Sequence, residues 1–216
     1  MKLHPEILTP APAQKVVLDA SATITHSWDA YLAGGASLGL QLGHRRSIDF
    51  DWFTPKTLAP AALLEDLQSL GLPVQVRQND EGTFVGQVGG VEYSVFRYRY
   101  PLVAKPAAFE GCALASIRHI AAMKMTAIVQ RATKRDYVDL HALFTSGRVG
   151  LEDTVATMKE KFSVVDPSLA LRALIYFADV ERQPMPEMLA KTSWDEVKRG
   201  LVRIRDRAQE REGPSR

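Results

Sequence analysis

Residues 32–53 read LAGGASLGLQLGHRRSIDFDWF, and the final segment, SIDFDWF, decides the fold. Aromatic residues and isoleucine alternate there with two aspartates, which predicts a strand over 47–54. Residues two apart on a strand point to one face. Asp49 and Asp51 therefore project side by side, while Ile48, Phe50 and Trp52 are expected to form the core-packed face. Neighbouring carboxylates shielded from water are costly without a counter-charge. A hard divalent cation, Mg²⁺ or Mn²⁺, supplies one and commonly shares its oxygen ligands with phosphates.

Upstream, Gly34 and Gly35 permit a tight turn, and a short helix is expected over 36–44. A helix start behind a glycine turn presents unpaired N–H groups, a natural phosphate site to which Ser37 could add a hydroxyl. Neither feature is specific alone. A Gly-Gly turn and an Asp-x-Asp strand with one short helix between them form a more restrictive pattern.

Working outward, 14–28 has helical spacing behind the prolines at 10 and 12, and 60–71 is a helix with proline at its start and glycine at its end. VQVRQ, TFVGQVGG and VEYSVFRYRY then predict a meander of strands. Beyond Pro101 and Pro106 the period changes to helical, with helices expected over 114–132, 134–146, 151–162, 168–182 and 193–211. Ser193 and Glu196 have capping-box spacing. The fold class is α+β: a mixed α/β half over 1–110 and a helical half over 111–216.

A chain of 216 residues suffices for one sizeable core or two small ones. With 46% hydrophobic and 24% charged residues, the composition is that of a globular protein. No apolar run approaches the roughly 20 residues that span a bilayer, so no membrane role is expected. The N-terminus lacks the apolar core of a secretory signal. Cys112 is the single cysteine, which excludes an internal disulfide and agrees with a cytoplasmic location. Net charge is only +2, so any nucleic-acid contact would use local basic clusters: 44–46, 97–100, 134–135 or 203–211. His4, His26, His119 and His141 show no metal-ligand spacing. Lys124 interrupts the apolar run IAAMKMTAIV, where a lysine needs an anionic partner, and it shares a helix face with Ile128 and Arg131. Asp136 has the position of a first-turn or capping acid, and Asp139 is expected to pair with Arg135 or Arg131.

LAGGASLGLQLGHRRSIDFDWF resembles the first motif of nucleotidyltransferases with a polymerase-β-like core, and more closely that of the AbiE-type toxins of abortive-infection toxin–antitoxin systems. SIRHIAAMKMTAIVQRATKRDYVDL and ALIYFADVERQPMPEMLAKTSWDEVKRGL resemble that family's later motifs, so the likeness spans roughly residues 15–205. It implies a mixed sheet flanked by helices, followed by a helical bundle. It also implies transfer of NMP from an NTP to an acceptor, with tRNA as the acceptor and a cognate antitoxin as partner. Gly34, Gly35 and Ser37 would hold the phosphates, and Asp49 and Asp51 the metal. Lys124 would contact the triphosphate, and Asp136 would complete the site. Arg46 and Arg131 are added as further nucleotide contacts.

Two positions depart from the family pattern. Ser94 stands where many such transferases carry a third carboxylate, with Glu92 two residues earlier as a substitute ligand. His119 occupies a position that is often acidic. Two other readings stay open on the sequence: a nucleotide- or partner-binding domain without turnover, and a transferase acting on a small molecule such as an antibiotic.

Overall fold

The computed structural model describes residues 2–8, 12–162 and 166–212; the proline at 10 lies outside them. The chain divides into two compact units, residues 1–116 and 117–216.

The first unit opens with a 3₁₀ turn, Pro5–Leu8, followed by helices α1 (Pro12–Ala20) and α2 (Ala22–Trp28). The single helix expected over 14–28 is therefore two. Ser21 breaks it: its hydroxyl donates to the Val17 carbonyl and accepts from the Tyr93 hydroxyl at 3.1 Å. Such back-bonding by serine bends a helix.

Strand β1 (Tyr31–Leu32) leads into helix α3 (Gly34–Leu42), then strand β2 (Asp49–Thr54) and helix α4 (Pro60–Ser69). The meander follows as β3 (Val74–Asp80), β4 (Thr83–Val88) and β5 (Val91–Arg97). A hairpin, β6 (Ala107–Phe109) and β7 (Cys112–Leu114), completes one sheet of order β3-β4-β5-β2-β1-β7-β6. Neither β1 nor the hairpin has the length to show as a periodic pattern. β7 pairs with β1 in parallel, which carries the first unit past residue 110 to Ser116.

Phe50, Trp52, Phe84, Tyr93 and Val95 turn one sheet face onto Val17, Leu18, Ile24, Leu63 and Leu67 of α1, α2 and α4. Burying these side chains is the main stabilising contribution, about 1.5–3 kcal/mol for each large one. Ile48 does not belong to that core. It precedes β2 and is 69% exposed.

The second unit is helical: α5 (Ile117–Arg131), α6 (Lys134–Thr145), α7 (Leu151–Lys161), α8 (Pro167–Ala173) and α9 (Trp194–Glu212). α5 packs on α6, α7 and α8, and α9 lies against α6 and α7. The capping box forms as expected, with Ser193 N donating to Glu196 Oε2 at 2.7 Å. The helix expected over 168–182 stops at Ala173. The Tyr137 hydroxyl donates to the carbonyls of Ala173 and Tyr176, and Phe177 packs edge-on to Tyr137 and Trp194. These contacts satisfy the terminal carbonyls and turn the chain away. Among the described residues, no helix is long and apolar enough to cross a membrane.

Candidate active site

The sheet face opposite the core carries the carboxylates. Along β2, Asp49, Asp51 and Phe53 are half-buried while Phe50, Trp52 and Thr54 are buried. β5 lies beside β2 in parallel, with Asp49 opposite Glu92 and Asp51 opposite Ser94. Ser47 Oγ donates to Asp49 Oδ1 at 2.7 Å, and Gln14 anchors the Ser47 carbonyl at 2.7 Å. The first aspartate is thus fixed by its own approach loop.

On the other side of β2, the amide of Ala33 donates to the Asp51 carbonyl at 3.0 Å. The chain then turns through Gly34 at φ +61°, where a Cβ would stand 2.8 Å from Asp51 Oδ2. Only glycine combines that left-handed conformation with so close an approach. Helix α3 begins at Gly34, ahead of the expected residue 36, and no side-chain cap closes its first turn. Its leading amides and positive dipole end therefore favour an anion at the edge of the carboxylate pair.

A Cβ on Gly35 would meet Arg45 Nη2 at 2.5 Å and Ser47 Oγ at 2.8 Å. The cation placed against Gly35 is thus Arg45. Arg45 is buried, with its Nη1 donating to the Arg46 carbonyl, whereas Arg46 reaches the Glu6 carbonyl at 3.3 Å. Two adjacent arginines leaving a helix end give no sequence signal for which turns inward. Ser37 is also relocated: it is fully buried, its hydroxyl accepting from Gln41 Nε2 at 3.2 Å. The Ser37 hydroxyl is accordingly turned into the interior, and the start of α3 presents backbone amides. Glu92 is engaged by Arg77 and Gln87, whose hydrogen bonds hold its carboxyl below the ordinary range. Gln87 and Arg77 therefore compete with any metal for Glu92, and its neighbour on the face, Ser94, is no carboxylate.

In the second unit, Lys124 Nζ lies 2.8 Å from Asp136 Oδ1 and 2.7 Å from Asp139 Oδ2. The side chains of both aspartates are 2% exposed or less, and that of Lys124 is 12% exposed. Thr133 Oγ1 donates to Asp136 Oδ2 at 2.7 Å, and Arg131 Nη1 lies 3.8 Å from the same oxygen. Asp139 therefore pairs with Lys124. Asp136 and Asp139 lie three apart on α6 and so share a face, which lets both reach Lys124. His119, buried in α5, is kept neutral: burial and nearby Lys161 push its pKa down to about 3.

Among the described residues, no group of three or more His, Cys, Asp or Glu is arranged to hold a metal ion. Two carboxylates on one face still fit Mg²⁺, which typically takes one or two protein carboxylates and completes its octahedron with water and substrate phosphates. Asp49 and Asp51 beside an anion-binding helix start have that donor set. They fit a metal that arrives with a polyphosphate better than one held by protein alone.

A family model described as nucleotidyl transferase AbiEii toxin, type IV TA system, matches residues 103–210. A protein of Aquifex aeolicus (strain VF5), named uncharacterized protein aq_aa25, is 31% identical over 188 residues, spanning 85% of this chain and 90% of its own. Among solved structures, a putative nucleotidyltransferase from H. pylori superposes with TM-score 0.63 at 18% identity, covering 97% of each chain. MenT4, a nucleotidyltransferase toxin from Mycobacterium tuberculosis H37Rv, gives 0.59 at 19% identity, covering 96% of this chain and 92% of its own. At these identities the two structures establish a shared fold, while the family match covers half of the chain. The chain belongs to the AbiEii family of nucleotidyltransferase toxins.

Proposed function

We propose that this transferase moves NMP from an NTP to a hydroxyl of an RNA acceptor, tRNA by family analogy, in a cytoplasmic toxin–antitoxin system. The observation that supports this reading is the close approach of Gly34, at the start of α3, to Asp51 of the carboxylate pair. Asp49 and Asp51 would hold Mg²⁺ or Mn²⁺, which when bound offsets the charge of the triphosphate. The backbone of Gly34 and Gly35 binds the β- and γ-phosphates, and Arg45 adds a fixed positive charge beside them.

The acceptor oxygen forms a bond to the α-phosphorus while the bond to the bridging oxygen breaks, and pyrophosphate leaves. The proton lost by the acceptor passes to a carboxylate. Ser94 is too weak a base, so Asp51, its register partner, takes that role. Lys124 and Asp136 are assigned to the same nucleotide on the family resemblance. On that resemblance Lys124, held by Asp136 and Asp139, would stabilise charge developing on the phosphates. A cognate antitoxin would bind or counteract this activity.

Purified protein incubated with each labelled NTP, Mg²⁺ and total RNA tests the proposal. Label on RNA that is lost in Asp51→Asn supports it. Absence of transfer with all four NTPs, or transfer that survives Asp51→Asn, overturns it.

A further inference from the structure

Gln14 is a buried polar residue to which the chemistry above gives no part. It stands in the first turn of α1, whose Val17 and Leu18 are 1% exposed or less in the core under the sheet. Gln14 itself is 5% exposed, and its Nε2 donates at 2.7 Å to the carbonyl of Ser47, 33 residues away in the chain. A buried amide that donates to one distant carbonyl fixes the place of that carbonyl, because leaving either group unpaired in the interior is costly.

The carbonyl it holds lies in residues 43–48, between α3 and β2, outside every helix and strand. The ladder bonds that fix β2 therefore do not fix Ser47, and a side chain anchored in α1 does so instead. Ser47 is 4% exposed, and its hydroxyl donates to Asp49 Oδ1 at 2.7 Å. On its other side that hydroxyl fills the room of a missing side chain, since a Cβ on Gly35 would stand 2.8 Å from Oγ. Confined between the glycine turn and the carboxylate, the hydroxyl sets the rotation of the Asp49 carboxylate about its last side-chain bond. Partners behind a ligating carboxylate orient it and tune its affinity for metal. The line of contact thus runs from a core-anchored helix, through Gln14 and Ser47, to Asp49.

We propose that Gln14 is a positioning residue for the divalent cation: by holding the main chain of Ser47 it aims the Ser47 hydroxyl at Asp49 and presets that carboxylate for metal. This rests on the reading of Asp49 as a metal ligand given above.

The test is a double-mutant cycle on Mn²⁺ affinity, read without nucleotide from the loss of the free-Mn²⁺ electron paramagnetic resonance signal. Ser47→Ala removes the hydroxyl and should weaken Mn²⁺ binding about tenfold. Gln14→Met keeps the length of the side chain but cannot donate, and should weaken binding about three- to tenfold. The double variant should bind Mn²⁺ no more weakly than Ser47→Ala, because Gln14 acts through that hydroxyl. In transfer assays Gln14→Met should lower kcat and leave KM for NTP within about twofold, since the glycine turn is untouched. A cooperative urea transition shows that each variant is folded. Unaltered Mn²⁺ affinity in Gln14→Met, or losses that multiply in the double variant, overturn the proposal. Full affinity in Ser47→Ala, which leaves the Gln14 bond in place, overturns it too. Asp49→Asn separates this failure from that of the reading beneath it. Mn²⁺ affinity unchanged in Asp49→Asn overturns the metal assignment and the Gln14 role together. Mn²⁺ binding lost in Asp49→Asn but kept in Gln14→Met overturns the Gln14 role alone.

Discussion

The α-carbon of Gly34 lies against the carboxylate of Asp51, so closely that a Cβ there would stand 2.8 Å from Oδ2. Gly34→Ala adds that atom at φ +61°, a conformation alanine adopts at a cost of about 1–2 kcal/mol. The variant should lose transfer activity more than a hundredfold while its unfolding midpoint falls modestly. Near-normal activity in purified Gly34→Ala would refute the close-approach site.

Lys124 is shared by two buried aspartates, so removing it strands both. Lys124→Met should destabilise the fold by about 3–5 kcal/mol in urea titration. Adding Asp136→Asn and Asp139→Asn to Lys124→Met removes the uncompensated charges and should recover most of that loss without restoring transfer. A triple variant as unstable as the single one would show that packing, not charge, dominates at this position.

Ser94 faces Asp51 where a third carboxylate would complete the set. Ser94→Asp should strengthen Mn²⁺ binding in the absence of nucleotide, read as a larger metal-dependent rise in melting temperature. It should also raise the transfer rate about tenfold, because a dedicated base relieves Asp51 of that role. Unchanged metal dependence in Ser94→Asp would place Ser94 outside the reacting face.

His119 should make the protein acid-labile. Its folded-state pKa of about 3 lies below the unfolded value of 6.5. The unfolded chain therefore binds more protons between those limits, and stability falls as pH drops below 6.5. At pH 5 the loss amounts to about 2 kcal/mol. His119→Gln should flatten that limb of the stability–pH curve, as measured by urea midpoints from pH 7 to pH 4.5.

Lys161 provides the complementary case on α7. Burial lowers its pKa to about 8 from 10.5, so the folded state disfavours the charge. The penalty is fully present below pH 8 and is relieved as pH rises toward 10.5. Lys161→Met should stabilise the protein more at pH 7 than at pH 10. The gain should shrink above pH 8; a constant gain up to pH 10 would mean that Lys161 stays charged in the fold.

The sequence by itself determined the elements whose signal is local. Period-two alternation marked β2 and placed Asp49 and Asp51 on one face, the Gly-Gly turn marked the start of α3, and Ser193 with Glu196 marked the start of α9. Each depends on residues a few positions apart, where backbone geometry repeats and chemistry follows spacing. Only the tertiary structure decided which of Arg45 and Arg46 turns inward, that Ser37 is spent on Gln41, and that Glu92 is held by Arg77 and Gln87. It alone supplied Asp139 as the second partner of Lys124 and aligned Phe96 with Phe53. Those outcomes are set by competition among groups far apart in the chain for the same buried space and hydrogen bonds. The strand register and helix packing that bring such groups together leave no periodic trace in either segment.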